Sequence, residues 1–408
     1  MEPRLPRQRA NTMPVSHRLA IGLSFAGLAI WLAAASHSSG QQSPPQSVSP
    51  VHVLEAGRNA LHVEPGPIDV GNALKPLPVH VVGRVDMDKA SGAIGHEWPG
   101  FYAEARFQGD TIILRLDDAI NRLRITIDDG TAGIIEVSRI GQRDLNISGV
   151  GDGKHSIRVE KLSESSGPAA FGGFFVRDAA DILPQPQERG RLVEFIGDSD
   201  TVGYGGMSST RECSADQVYT STDVSRSFGP RVATLFKADY RMLARSGIGL
   251  IRNYGGAGGD AMSALQDRIF LSEPGELYTP QAKADLIVIG VGSNDFSPNI
   301  VTSGTSPDLQ AVRWDFGAAL LTFARARLQR NPGAAVIMLA FGEYGNELVA
   351  PYQAATTALR RDGVNAELVV LPKLSRLSCH WHPSQADHGL IARLLETAIR
   401  QTIPDWAN

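Results

Sequence analysis

From about residue 190 to the end, the chain alternates short, nearly all-apolar runs with longer stretches of helical period, and this alternation limits its fold more than any other feature. Strands are expected near 192–197, 239–244, 285–291, 335–340 and 367–371, and helices near 226–236, 260–270, 311–329, 349–361 and 385–401. The middle run, Leu286-Ile287-Val288-Ile289, has no polar side chain, as expected of a parallel strand covered on both faces. The pattern predicts a doubly wound α/β/α domain over 188–408 with a five-stranded parallel sheet. Open sheets of this kind form their sites at the carboxyl ends of the strands.

The preceding region, 75–183, has a different texture. Alternating runs such as Thr111-Ile112-Ile113-Leu114-Arg115-Leu116 and Leu123-Arg124-Ile125-Thr126-Ile127-Asp128 are separated by turn formers such as Asp128-Asp129-Gly130 and Gly151-Asp152-Gly153. Period-two patterning without a helical stretch predicts an all-β sandwich. Within it, Trp98, Phe101 and Tyr102 either form a stacking platform for a glycan or pack in a core. The neighbouring Pro99-Gly100 favours a corner and therefore packing.

Residues 1–18 are basic and 19–35 apolar, closing on Ala33-Ala34-Ala35, which reads as a signal peptide or, if uncleaved, an N-terminal anchor. Both place the rest of the chain outside the cytoplasm, secreted or periplasmic, with no membrane contact beyond that segment. Residues 36–74, rich at first in Ser, Gln and Pro, are expected to be a linker. Without residues 1–35 the chain holds 35 basic against 42 acidic residues, and no basic patch with interleaved aromatics appears, so nucleic acid is not an expected partner.

Three segments carry candidate chemistry. Gly197-Asp198-Ser199 follows the first apolar run and puts a hydroxyl at a strand-to-helix junction. Asn294, in Gly292-Ser293-Asn294-Asp295 behind the middle strand, is either an amide donor to the same place or a turn former. His382, in Cys379-His380-Trp381-His382-Pro383, follows the last strand and can act as a base toward the serine. Each is weak alone. Together they occupy three strand ends of one sheet.

With Gly247 in Ser246-Gly247-Ile248-Gly249, these blocks resemble the SGNH (GDSL-type) hydrolases. More narrowly, through Phe195-Ile196-Gly197-Asp198-Ser199, Gly203-Tyr204-Gly205, Arg252-Asn253-Tyr254-Gly255, Asn294-Asp295-Phe296-Ser297 and Trp381-His382-Pro383-Ser384, the chain resembles carbohydrate esterase family 2 over roughly 75–405. The resemblance implies an N-terminal jelly-roll before the hydrolase domain. It also implies catalytic Ser199 and His382, an oxyanion hole of Ser199, Gly247 and Asn294, substrate contacts from Trp381 and Tyr204, no cofactor, and removal of short acyl groups, mainly O-acetyl, from oligo- or polysaccharides. Two readings compete with this one: a carbohydrate-binding protein with a vestigial hydrolase domain, and an esterase for lipid or long acyl chains.

The sequence departs from the resemblance where SGNH enzymes often place a carboxylate, because Cys379 and His380 stand three and two residues before His382. We therefore expect a main-chain carbonyl to orient the imidazole, with Asp387 a solvated residue of the following helix. The two cysteines, Cys213 and Cys379, either pair near the pocket rim or remain thiols. His380, His382 and His388 cluster beside Cys379, but no four-ligand metal geometry is expected.

Overall fold

The structure, a computed structural model, describes residues 50–406 except 58–59, 72, 89–90, 166, 274, 276, 281 and 298–308. The expected signal peptide and the first part of the expected linker lie outside the described residues.

The β-rich part runs β1 (Val51–Ala56), β2 (His62–Gly66), β3 (Lys75–Pro76), β4 (His80–Val82), β5 (Val85–Met87), β6 (Ile94–His96), β7 (Tyr102–Gln108), β8 (Ile112–Asp118), β9 (Arg122–Ile127), β10 (Gly133–Ser138), β11 (Gly141–Ser148), β12 (Lys154–Lys161) and β13 (Ala169–Val176). These strands form two antiparallel sheets, ordered β1-β10-β9-β12-β7-β4 and β2-β11-β8-β13-β6-β5, with β3 beside β13. Side chains alternate strictly along β9, where Leu123, Ile125 and Ile127 are buried. These three meet Leu114, Leu116, Leu145, Phe171 and Phe174 of the other sheet in one core. The span expected to be linker differs in its second half. Val51–Ala56 and His62–Gly66 are edge strands, mostly exposed, that complete the two sheets by backbone pairing. Their exposure removes the buried alternation by which a strand is recognised in sequence.

The rest is β14 (Leu192–Gly197), α1 (Ser199–Val202), α2 (Ala215–Ser221), α3 (Phe228–Leu235), β15 (Asp239–Ala244), α4 (Met262–Leu265), β16 (Leu286–Gly290), α5 (Leu309–Arg330), β17 (Ala335–Phe341), α6 (Asn346–Arg361), β18 (Ala366–Leu371) and α7 (Gln385–Thr402). All five strands are parallel, in the order β15-β14-β16-β17-β18. The chain therefore turns back across β14, and the crevice at the carboxyl end of β14 is the switch point where doubly wound sheets bind ligands. A buried ion cluster crosses this core. Glu194 on β14 is fully buried between Arg241 and Arg327, and although burial alone would raise it, the two guanidinium charges bring its pKa down to about 2.

The two parts share packing. Val82, Trp98 and Tyr102 belong to the same apolar cluster as the parallel sheet. Trp98, Phe101 and Tyr102 are each 1% exposed, so they cannot form a stacking platform. Gly100, at φ 76°, turns the chain where a side chain would meet the Tyr240 ring, as the Pro99-Gly100 corner implied. The helix expected over 260–270 shortens to α4 because its continuation is recruited by the sandwich. Arg84, buried under Trp98 and Tyr278, donates to the carbonyls of Gln266 and Arg268, and the Trp98 indole N–H also donates to Arg268.

Candidate active site

Strand β14 is buried along its whole length and ends at Gly197, where a Cβ would collide with the Thr201 side chain. Asp198 then caps the short helix α1. Its Oδ1 accepts from the Asp200 N–H at 3.0 Å and its Oδ2 from the Ser293 hydroxyl at 2.6 Å. Ser199 opens the helix, 8% exposed, and its carbonyl accepts from the N–H groups of Gly203 and Tyr204. The strand, the glycine and the cap together fix the position of Ser199.

The bond from Ser293 to Asp198 ties this turn to the loop behind β16. Next to it, Asn294 donates an amide N–H to the Ile248 carbonyl at 2.7 Å, which orients the side chain and leaves its second N–H by valence. Asp295 accepts from the N–H groups of Leu250, Ile251 and Arg252 and so shapes the turn after β15. In that turn Gly247 is at φ 78°, and its carbonyl accepts from Tyr254. Burial pushes the Asp295 carboxyl up to about 6 against these three donors, so its place is held by hydrogen bonds that favour the charged form.

The histidine loop is held by other means. Cys379 and Cys213 form a disulfide across 166 residues of sequence. Gly205 lies so close to Cys379 that a Cβ there would overlap it. His380 and Trp381 both take left-handed backbone, φ 52° and 60°, a conformation costly for such residues unless the surroundings impose it. Here the constraint comes from the 204–213 stretch. The His380 N–H donates to the Arg211 carbonyl, its ring bonds the Cys213 carbonyl and the Tyr204 hydroxyl, and the Ser378 hydroxyl donates to the Ser208 carbonyl.

His382 places Nδ1 2.9 Å from the Cys379 carbonyl. A carbonyl only accepts, so Nδ1 carries the hydrogen and the neutral ring keeps its lone pair on Nε2. The Tyr204 ring lies 4.4 Å from the imidazole, centroid to centroid, while the Tyr204 N–H is bonded to Ser199. Trp381 stands out at the rim, 59% exposed, with the Arg211 guanidinium 5.7 Å from its ring.

A cation locks the two halves together. Arg376 binds both oxygens of Asp200, at 3.0 and 2.6 Å, together with Glu343 and the Trp381 carbonyl. For Asp200, burial would raise the pKa, but the Arg376 charge and hydrogen bonds outweigh it and hold the carboxylate down. Asp198 is driven the other way, upward, by burial and by the neighbouring Asp200 charge. Burial also lowers the pKa of His382, only partly offset by Asp200 and the Cys379 carbonyl, so the imidazole is neutral near pH 7.

Asp387 is not the solvated residue expected. It is buried, accepting from the N–H groups of Ser375, Arg376 and Ser384 and from the Ser384 hydroxyl, so that it caps α7 and fixes the turn that carries Arg376. The sequence pointed to Ser199, Asn294, Gly247, His382, Tyr204 and the cysteine pair, and hydrogen bonds, ring contact or the disulfide link their loops into one cluster. It did not point to Arg376 or Asp200, whose only local signal is the acid next to Ser199. Among the described residues no group of three or more His, Cys, Asp or Glu is placed to hold a metal ion, and no helix is long and apolar enough to cross a membrane.

Residues 81–186 match the family model described as carbohydrate esterase 2 N-terminal. The chain is 33% identical over 341 residues to an acetylxylan esterase / glucomannan deacetylase of Cellvibrio japonicus (strain Ueda107), covering 82% of this chain and 94% of that protein. Among solved structures it resembles a carbohydrate esterase whose active site is described as displaying divergent catalytic and non-catalytic binding functions. The TM-score is 0.74 and the identity 32%, over 81% of this chain and all of that one. A family two carbohydrate esterase from Cellvibrio japonicus, at 20% identity, shares the fold with a TM-score of 0.69 over 86% of this chain and all of that one. The antiparallel sheets, the parallel sheet behind them and the similarity across both parts lead to one assignment: the chain belongs to carbohydrate esterase family 2 and is a carboxylic ester hydrolase.

Proposed function

We propose that Ser199 is the nucleophile and His382 the base of an esterase that removes O-acetyl groups from polysaccharide. The Nε2 lone pair of His382 takes the Ser199 proton as the hydroxyl oxygen attacks the acetyl carbonyl. The main-chain N–H groups of Ser199 and Gly247 and the Asn294 amide hold the oxyanion that forms. The protonated imidazole gives its proton to the departing sugar hydroxyl, leaving an acetyl-enzyme. Water, deprotonated by the same imidazole, then releases acetate.

The observation that carries this reading is the hydrogen bond from His382 Nδ1 to the Cys379 carbonyl. It supplies the tautomer that a carboxylate would otherwise set, so a Ser-His pair suffices. Relatives named as acting on acetylated xylan and glucomannan support those polymers as substrates, and the exposed Trp381 with Tyr204 supports sugar binding beside the ester. In the same reading the sandwich is a jelly-roll over about 51–183, the hydrolase domain spans 188–408, and the basic and apolar residues 1–35 direct secretion.

Turnover of p-nitrophenyl acetate tests the chemistry. Ser199→Ala and His382→Ala should each lower kcat by at least about 10³-fold. Retained turnover in either variant would refute the assignment. Acetate should be cleaved in preference to octanoate, and acetylated xylan or glucomannan in preference to acetylated peptidoglycan; the reverse order would move the substrate class.

A further inference from the structure

We infer that Glu164 is a positioning residue for this reaction, reaching from the sandwich to hold the turn that carries Gly247. Its Oε1 accepts from the Ser246 N–H at 2.7 Å and its Oε2 from the Ser246 hydroxyl at 2.5 Å, across 82 residues of sequence. One carboxylate therefore binds both hydrogen-bond donors of the residue directly before Gly247. On the far side, the Tyr254 N–H holds the Gly247 carbonyl at 2.9 Å. The peptide unit whose N–H belongs to Gly247 is thus flanked by two fixed neighbours, one held by the turn at Tyr254 in the hydrolase part and the other by a side chain of the sandwich. This inference rests on the proposed role of the Gly247 N–H as an oxyanion donor. Such a donor stabilises charge in proportion to how well it is aimed beforehand, so a group that fixes its peptide acts on kcat without touching substrate.

Glu164 is itself held in place. It lies in the segment leaving β12, and both of its neighbours are bonded into a buried network. The Ser163 and Ser165 hydroxyls donate to Asn121 Oδ1 at 3.1 and 3.0 Å, Asn121 Nδ2 donates to both oxygens of Asp118, and the Arg122 N–H donates to the Ser163 hydroxyl. Lys161, 1% exposed, donates to the Ser165 hydroxyl and to the carbonyl of Glu97. Asp118, Asn121 and Ser163 are likewise about 1% exposed. A buried lysine with no carboxylate in its hydrogen bonds is a costly feature of a β-sandwich. Here it braces the loop that presents Glu164, and the Val224 N–H bonded to the Leu162 carbonyl joins that loop to the hydrolase side. In this view the sandwich supplies part of the oxyanion apparatus and is not an appendage.

The test measures kcat and KM for p-nitrophenyl acetate on the full chain carrying Glu164→Ala, Glu164→Gln, Ser246→Ala or Ser199→Ala, with thermal melting alongside. Glu164→Ala should lower kcat by about 30-fold while KM stays within about twofold, the pattern of an interaction felt only in the transition state. Glu164→Gln, which can still accept the Ser246 N–H, should recover kcat to within about fivefold of wild type. Ser246→Ala, which loses only the hydroxyl bond, should show a loss of similar size to that of the glutamine variant. The inference is overturned if kcat of Glu164→Ala is within twofold of wild type, or if KM alone rises. If Glu164→Ala does not fold, Glu164→Gln and Ser246→Ala decide, and wild-type kcat in both overturns it. If Glu164→Gln also melts below the assay temperature, the carboxylate serves the fold and the inference is again overturned. Turnover by Ser199→Ala would defeat the underlying mechanism instead, whereas a dead Ser199→Ala beside fully active Glu164 variants would defeat this inference alone.

Discussion

The serine end and the histidine end of the site are built from different materials. Ser199 sits two residues past a fully buried interior strand, and its turn is made by a glycine and a capping aspartate drawn from the same stretch of chain. His382 comes eleven residues after β18 ends, in a loop with two residues in left-handed backbone, held by a disulfide, an ion pair and a carbonyl. The serine end is a property of local sequence on a sheet; the histidine end is a property of cross-links reaching from elsewhere. Changes at those cross-links should therefore spare the fold and lower turnover.

The largest expected effect away from Ser199 and His382 is at Arg376. Arg376→Ala removes the pair with Asp200, the bond to Glu343 and the bond to the Trp381 carbonyl. It also leaves the Asp200 carboxylate buried without its partner beside the imidazole. Displacing a catalytic group by about 1 Å costs on the order of 10²-fold, so kcat should fall by about 100-fold. Arg376→Lys should recover little, because one ammonium cannot reproduce the paired contact with both Asp200 oxygens. Near-wild-type kcat in Arg376→Ala would show that the histidine loop holds itself.

Opening the disulfide comes next. Reduction, or the double change Cys213→Ser and Cys379→Ser, should cost about 2–4 kcal/mol in denaturant unfolding. The residue that loses its tether also supplies the carbonyl that orients His382, so kcat should fall by about tenfold as well. A stability loss with unchanged kcat would mean that the hydrogen bonds of residues 378–382 to the 204–213 stretch are enough by themselves.

This contrast also explains what could be read from sequence. The parallel strands were legible within a residue or two because each is an apolar run flanked by turn formers. Ser199, Gly247 and Asn294 were legible because they lie directly behind such runs. The segment over 260–270 was not, since its carbonyls are taken by Arg84 from the distant turn between β4 and β5 and the helix stops after α4. Asp387 looked like a solvated first-turn residue, and only the folded loop reveals the Ser375 and Arg376 N–H groups that bury it. Glu164 left no mark at all: an acid in a turn between strands is ordinary, and its partner lies in another sheet system. Long-range polar contacts carry no periodicity, so they stay hidden where apolar patterning does not.

The smallest expected effect sharpens the contrast at one position. His380 stands two residues before His382, its backbone is left-handed, and its side chain is exposed. Aspartate tolerates that backbone better than most residues. His380→Asp would place a carboxylate near an imidazole already faced by Asp200, Arg376, Glu164, Tyr204 and His388. Burial lowers the pKa of His382 from its ordinary 6.5, and in the proposed mechanism the base must be neutral to act, so the midpoint of the acid limb of wild-type kcat/KM should lie below pH 6.5. An added negative charge favours the imidazolium and raises that pKa, so the acid limb should move to higher pH. Because the new charge is exposed and screened, the shift should be a few tenths of a pH unit, shrinking as salt is added. The change also gives up the His380 bonds to Cys213 and Tyr204, and kcat on the plateau should drop about twofold. A limb that moves by a full unit, with a gain in kcat, would instead mean that the carboxylate had displaced the Cys379 carbonyl from Nδ1. The histidine end would then be held by its tether only for want of an acid.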